Sequence, residues 1–101
     1  REKLQGLITH FQRGAAERGI PVMASPTPIQ PVLIGDDAHV IKMGEYLLKA
    51  GFWTGAIRPP TVPTGSARLR ITLTAEHEVS QLDALLDTLE LALKTVGAKV
   101  L

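Results

Sequence analysis

Arg68 and Arg70 stand two apart in a run, Arg68-Leu69-Arg70-Ile71-Thr72-Leu73-Thr74, in which polar and apolar residues alternate. Alternation with period two is the pattern of a half-buried strand, so Leu69, Ile71 and Leu73 share one face and Arg68, Arg70, Thr72 and Thr74 the other. Two guanidiniums on one strand face make a fixed, permanently charged fork that can clamp a carboxylate or phosphate bidentately. The same spacing equally describes a solvent-facing strand whose arginines confer solubility or pair with an acidic residue of the fold. Just upstream, Arg58-Pro59-Pro60-Thr61-Val62-Pro63-Thr64-Gly65 carries three prolines in five positions. Proline fixes φ near about −65° and lacks a backbone donor, so this stretch is a stiff, turn-like connector that delivers the chain into the arginine strand.

Other residue types that do chemistry are present without the company they need. His10, His39 and His77 are scattered, and none has a metal-ligand neighbour at helical spacing, so they read as surface histidines and no metal site is expected. His77, in what reads as the first turn of the last helix, is expected to be neutral because a positive charge there opposes the helix dipole. Asp36-Asp37 is a carboxylate pair only in name, since adjacent acids ahead of a helical stripe are caps. Glycines 35, 44, 51, 55 and 65 form no phosphate-cradling pattern, and Ser25, Ser66 and Ser80 have no nucleophile-elbow context. The residues alone give no complete catalytic constellation.

Composition narrows the classes. A chain of 101 residues builds one domain with one core, and with 45% apolar residues but only two Phe, one Trp and one Tyr that core is aliphatic. A net charge of +1 with mixed signs gives no footprint for nucleic acid. The absence of cysteine removes disulfides, thiolate metal sites and cysteine nucleophiles, and fits a cytoplasmic protein. No apolar run approaches membrane-spanning length and Arg1-Glu2-Lys3-Leu4 has no signal-peptide shape, so a soluble, unexported chain without membrane partners is expected. The chain opens without methionine inside a helical pattern, which reads as a piece of something longer.

The elements that must position the arginines follow in order. Leu4, Leu7, Ile8, Phe11 and Ala15 recur at helical spacing over 1–18, with Gly19 as the stop and Gly6 and Gly14 weakening the helix by about 1 kcal/mol each against alanine. The proline-rich 21–28 is a connector too poor in donors for regular structure, and 29–34 is a buried strand with Pro31 at an edge or bulge. Asp36 or Asp37 caps a second helix with Val40, Met43, Leu47 and Leu48 on its apolar stripe and Gly51 at its end. Residues 52–57 make the second strand and 68–73 the third. Thr74 then caps a last helix, with Glu76 and Glu78 in its first turn and Val79, Leu82, Leu85, Leu86, Leu89, Leu93 and Val96 as its stripe. The expected fold is α+β, in the order αβαββα. It has a three-stranded, mainly antiparallel sheet with helices on one face, leaving the arginine face to water or a partner domain.

Ala56-Ile57-Arg58-Pro59-Pro60-Thr61-Val62-Pro63, Gly65 and Ala67-Arg68-Leu69-Arg70-Ile71-Thr72-Leu73-Thr74-Ala75-Glu76-His77 resemble the C-terminal part of the 8-amino-7-oxononanoate synthases, a branch of the α-oxoamine synthase family. Ser25-Pro26-Thr27-Pro28-Ile29-Gln30-Pro31 is similar to the same family's entry into its small domain, so the likeness covers about residues 20–95. The Arg-x-Arg strand and the Ala-x-His after it are shared across the family, whereas the Ile-Arg-Pro-Pro-Thr-Val-Pro loop selects this branch. The resemblance implies the small C-terminal domain, residues 1–101, of a homodimeric pyridoxal 5'-phosphate enzyme of the aspartate-aminotransferase fold. That enzyme condenses L-alanine with pimeloyl-CoA or pimeloyl carrier protein, with loss of carbon dioxide, in biotin synthesis. By the family's pattern Arg70 binds the substrate α-carboxylate and Thr61 lies near the acyl substrate; Arg58, which opens the same loop, is expected as a third contact from its place there.

The family's Schiff-base lysine and its other cofactor contacts belong to the large domain. None of Lys3, Lys42, Lys49, Lys94 and Lys99 takes that role, so no catalytic or cofactor-binding residue is assigned here. A free-standing module that captures a small carboxylate through the arginine strand, and a dimerisation domain using the open sheet face, are the readings to set beside it.

Overall fold

The computed structural model describes residues 2–97, with Arg1 and the four residues from Ala98 to Leu101, Lys99 among them, outside it. Six elements follow in chain order: α1 (Glu2–Glu17), β1 (Ile29–Gly35), α2 (Asp37–Lys49), β2 (Gly55–Ile57), β3 (Ala67–Thr72) and α3 (Val79–Val96). The sheet runs β1-β3-β2 with both pairs antiparallel. This is the αβαββα, α+β arrangement expected, with the arginine strand at the centre.

The inner face of the sheet, with Val32 on β1 and Leu69 and Ile71 on β3, closes over Phe11, Met43, Leu47, Leu86 and Leu89 in one core. Helix α2 packs on all three strands, and α3 packs on α2 and α1. Gly14, which weakens α1 as an isolated helix, is what lets it sit this close: a Cβ there would lie 2.5 Å from Leu86 Cδ1 on α3. Two ion pairs, Lys3–Glu78 and Arg18–Asp87 at 2.9 Å, and a hydrogen bond between His10 Nε2 and Asp83 Oδ1 at 2.7 Å tie α1 and the residue after it to α3 or to the turn before it.

Pro31 lies on β1, an edge strand with a register shift between Leu33 and Gly35, as its missing donor demands. The proline-rich connector departs from expectation in one respect, because Val22 bridges to Val32. The Met23 N–H donates to the Pro31 carbonyl and the Leu33 N–H to the Pro21 carbonyl, which covers the open edge of β1. Gln30 is fully buried and anchors the rest of that connector. Its Nε2 donates to the carbonyls of Ser25 at 3.0 Å and Thr27 at 2.7 Å, while its Oε1 accepts from Gln12 Nε2 at 3.0 Å.

Asp36, not Asp37, caps α2: its carboxylate accepts the His39 N–H at 2.9 Å, and that bond holds its pKa below the ordinary aspartate value. Leu48 and Val79 are half exposed and not part of the buried stripes. The last helix begins later than Thr74, with Glu78 as its N-cap and the Glu78 N–H donating to Gln81 Oε1 at 2.7 Å. Residues 74–77 instead form a turn in which the His77 N–H donates to the Thr74 carbonyl, so Glu76 and His77 precede the helix. The cause is local: the Thr74 hydroxyl accepts the Glu76 N–H and the Thr74 N–H donates to His77 Nδ1, closing a compact turn where a helical first turn was expected.

Candidate functional site

The second strand is shorter than its apolar run suggests, and that difference creates the site. The Phe52 N–H is already engaged, donating to the Leu47 carbonyl at 2.8 Å to close the end of α2. The chain therefore joins the ladder only at Gly55, and the pairs with β3 are Gly55 with Arg70, Ala56 with Leu69 and Ile57 with Arg68. Beyond Arg70 the β3 edge facing residues 51–54 has no strand beside it. An open groove of about 730 Å³ forms there, between residues 51–55, the end of β3 and the start of α3. Arg70, Thr72, Thr74 and His77 are among its polar lining, and Phe52 and Leu82 are among its apolar walls.

Arg70 stands at the mouth of this groove, between Pro31 on one neighbouring strand and Gly55 on the other. Its guanidinium lies across Gly55 and takes no hydrogen bond or ion pair among the described residues. Arg68, two residues away on the same face, is flanked by Leu33 and Ile57, is half buried, and donates through Nε to the Ser66 carbonyl at 3.1 Å. Alternation leaves the two arginines equivalent, and their cross-strand neighbours make them different.

Arg58 opens a second, smaller hollow of about 350 Å³, lined also by Ile41, Leu48 and Ala56. Trp53 and Thr54 line both hollows, so the indole stands between them, and at 86% exposure it is the most open large apolar side chain among the described residues. Thr54 Oγ1 is buried with no hydrogen-bond partner among the described residues. Thr61 lines neither hollow. It is exposed on the loop, and its N–H donates to the Arg58 carbonyl at 3.1 Å, closing a turn that contains the cis Pro59–Pro60 peptide. A second turn, in which the Ser66 N–H donates to the Pro63 carbonyl at 3.1 Å, brings the chain to β3, so the proline stretch is the stiff, turn-built connector expected. The three residues singled out from the sequence thus separate: Arg70 at the groove, Arg58 at the smaller hollow, Thr61 on the loop between the strands.

Sequence reasoning passed over Gly55, Trp53 and His77 as groove residues. The His77 ring is held by its Nδ1, which accepts the Thr74 N–H at 3.0 Å, so its free donor is Nε2. Among the described residues no lysine lines either hollow, so the groups that line them do not by themselves fit a cofactor held as a Schiff base. What the groove offers is one unpaired, planar cation beside hydroxyls and an apolar wall, which suits the carboxylate end of a small organic molecule.

Comparison with known proteins agrees with this reading of the fold. The chain is 57% identical over 89 residues to an 8-amino-7-oxononanoate synthase of Ectopseudomonas mendocina and 55% identical to that of Nitrosococcus oceani. Each match takes in 88% of this chain, whereas the chain spans only about a quarter of those relatives, 23% and 24%. Among solved structures it superposes on the Sphingomonas wittichii serine palmitoyltransferase with a TM-score of 0.88 at 28% identity, over 96% of this chain and 25% of that one. A serine palmitoyltransferase variant of S. paucimobilis, solved with a bound PLP–myriocin aldimine, matches with a TM-score of 0.85 at 27% identity, over 96% of this chain and 25% of that one. The 8-amino-7-oxononanoate synthase structure from Francisella tularensis, at 21% identity and a TM-score of 0.81 over 94% of this chain and 28% of that one, shares the fold. The resemblance drawn from the Arg-Pro-Pro loop and the Arg-x-Arg strand therefore holds at the level of whole-chain similarity. Since the family described as aminotransferase class I and II matches residues 1–89, the chain belongs to that family.

Proposed function

We propose that residues 1–101 are the C-terminal small domain of a PLP-dependent 8-amino-7-oxononanoate synthase, which condenses L-alanine with a pimeloyl thioester in biotin synthesis. The observation that carries this is the Arg70 guanidinium, unpaired among the described residues at the mouth of an open groove. In this reading Arg70 holds the α-carboxylate of alanine, and holding it orients the amino acid relative to the cofactor. Arg58 and Thr61 serve the acyl side. PLP supplies the electron sink when bound, and the large domain of the parent enzyme, not this chain, holds it. The parent is a cytoplasmic homodimer that needs neither nucleic acid nor membrane; no helix among the described residues is long and apolar enough to cross one. The exposed Trp53 and the half-exposed Ile29 and Leu48 fit a small domain whose outer surface is covered by the rest of the enzyme.

The test is to assay the full-length protein, loaded with PLP, with L-alanine and either pimeloyl-CoA or pimeloyl carrier protein. Release of carbon dioxide and formation of 8-amino-7-oxononanoate are expected, with no turnover by the 101-residue chain alone. Failure with both thioesters, or turnover by the chain alone, would sink the assignment. A free-standing module for small carboxylates is the second reading, because groove and arginine both form within these residues. Saturable binding of alanine by the 101-residue chain in the absence of PLP would favour it.

A further inference from the structure

We propose that Gly55 is a positioning residue for Arg70, its bare Cα being the shelf across which the guanidinium lies. Gly55 and Arg70 are directly paired across β2 and β3, so a Cβ at position 55 would leave the same face of the sheet as the Arg70 side chain, immediately beside it. A Cβ built at Gly55 would lie 3.4 Å from Arg70 Nε and 3.6 Å from both Arg70 Cβ and Nη2. The side chain therefore folds over position 55 instead of standing away from the sheet, and this brings its charged end to the groove mouth.

Nothing in the backbone asks for glycine there. Gly19, Gly35, Gly51, Gly65 and Gly97 have positive φ, and Gly55 does not. A glycine inside a strand weakens it, since it adds backbone entropy to the unfolded chain and packs nothing, and in such places it marks close approach by another group. At Gly55 the approaching group is the guanidinium. The neighbouring pair shows the contrast, because Ile57 faces Arg68 and that arginine is held through the Ser66 carbonyl instead.

The inference rests on Arg70 being the carboxylate-binding residue, and the experiment separates the two claims. In the full-length PLP-loaded enzyme, Gly55→Ala places a methyl group at ordinary contact distance and should change the alanine dissociation constant by no more than about threefold. Gly55→Val and Gly55→Thr put branches where the guanidinium lies and should weaken alanine by about tenfold or more, with the KM for the pimeloyl thioester within about twofold of wild type. Thermal stability should be unchanged or raised, because β-branched residues suit a strand better than glycine. In an Arg70→Ala background the same substitutions should cause no further loss.

Unaltered alanine affinity in both branched variants, or a loss that persists without the Arg70 side chain, would overturn the proposal. If Arg70→Ala itself leaves alanine affinity intact, the carboxylate reading is what fails. The seating is then judged from the crystal structure of Gly55→Val: a guanidinium displaced from residue 55 upholds it, and one left in place overturns it. Should Gly55→Val fail to fold, the same measurements on Gly55→Thr decide.

Discussion

The two ends of β3 carry the same residue on the same face and do opposite things with it. At the Arg68 end the strand is flanked by Leu33 and Ile57, and the guanidinium is bound back to its own chain at the Ser66 carbonyl. At the Arg70 end the flanking residues are Pro31 and Gly55, the β2 ladder stops, and the guanidinium meets no partner among the described residues. An arginine between two aliphatic side chains buries its stem and settles on a nearby carbonyl, whereas one beside a glycine at a strand end keeps its fork free. Charge and alternation say where a cation is; cross-strand neighbours say whether it is available.

The largest expected effect tests that contrast directly. In the full-length enzyme Arg70→Ala should weaken alanine by about 2–5 kcal/mol, and Arg68→Ala by at most about 1 kcal/mol. Arg70→Lys should recover only part of the loss, because a point charge does not replace a planar fork. Alanine titrations on the three variants settle it, and a greater loss for Arg68→Ala at unchanged stability would invert the comparison.

Next in size is the support beneath the Arg70 end. The Leu73 N–H donates to the Pro28 carbonyl at 2.9 Å, and the connector that offers this carbonyl is held by the buried Gln30. Gln30→Leu removes three hydrogen bonds from that network, so denaturant unfolding should show a loss of about 1–3 kcal/mol. A neutral result would mean that the C-terminal end of β3 stands without its connector.

A smaller effect separates the two ends by substrate. Arg58 follows the last residue of β2, which pairs with Arg68, and opens the smaller hollow. Arg58→Ala should weaken the pimeloyl thioester by about 1 kcal/mol and leave alanine nearly unchanged, as suits an exposed charge. Equal effects on both substrates, or a fall in stability alone, would make the proline loop structural.

The smallest effect belongs to the cap beside the Arg68 end, where Gly35 of β1 pairs with Ala67 and Asp36 follows. The folded pKa of Asp36 lies below its unfolded value, chiefly through the His39 N–H bond. Its contribution to stability is therefore present above the unfolded pKa and lost as pH falls through the folded one. Asp36→Ala should be less stable than wild type at neutral pH, and the gap should close on acidification through the carboxylate range. Asp36→Asn, which keeps an acceptor without the charge, should remove the pH dependence but not the cap. Parallel melts that stay apart at low pH would show the carboxylate to be irrelevant there.

Much of this was legible in the sequence, and for reasons that act within a few residues of one another. Period-two alternation set Arg68 and Arg70 on one face of β3, apolar stripes at helical spacing marked three helices, and the prolines from Pro59 to Pro63 made a stiff loop. The Ser25–Pro31 and Arg-Pro-Pro segments carried the family likeness, which whole-chain comparison upheld. Boundaries failed where two local preferences compete. Phe52 to Thr54 look like strand, yet the Phe52 N–H closes α2, and Thr74 looks like a helix cap, yet its hydroxyl and amide close a turn with Glu76 and His77.

What only the tertiary structure decided is which arginine is free. That depends on Gly55 facing Arg70 and Ile57 facing Arg68, a register between segments brought together by the proline loop and by the helix end before β2. Strand periodicity fixes the side of the sheet to which a residue points. It cannot fix which residue of another strand lies opposite, because sliding the partner by two residues preserves every face and changes every neighbour.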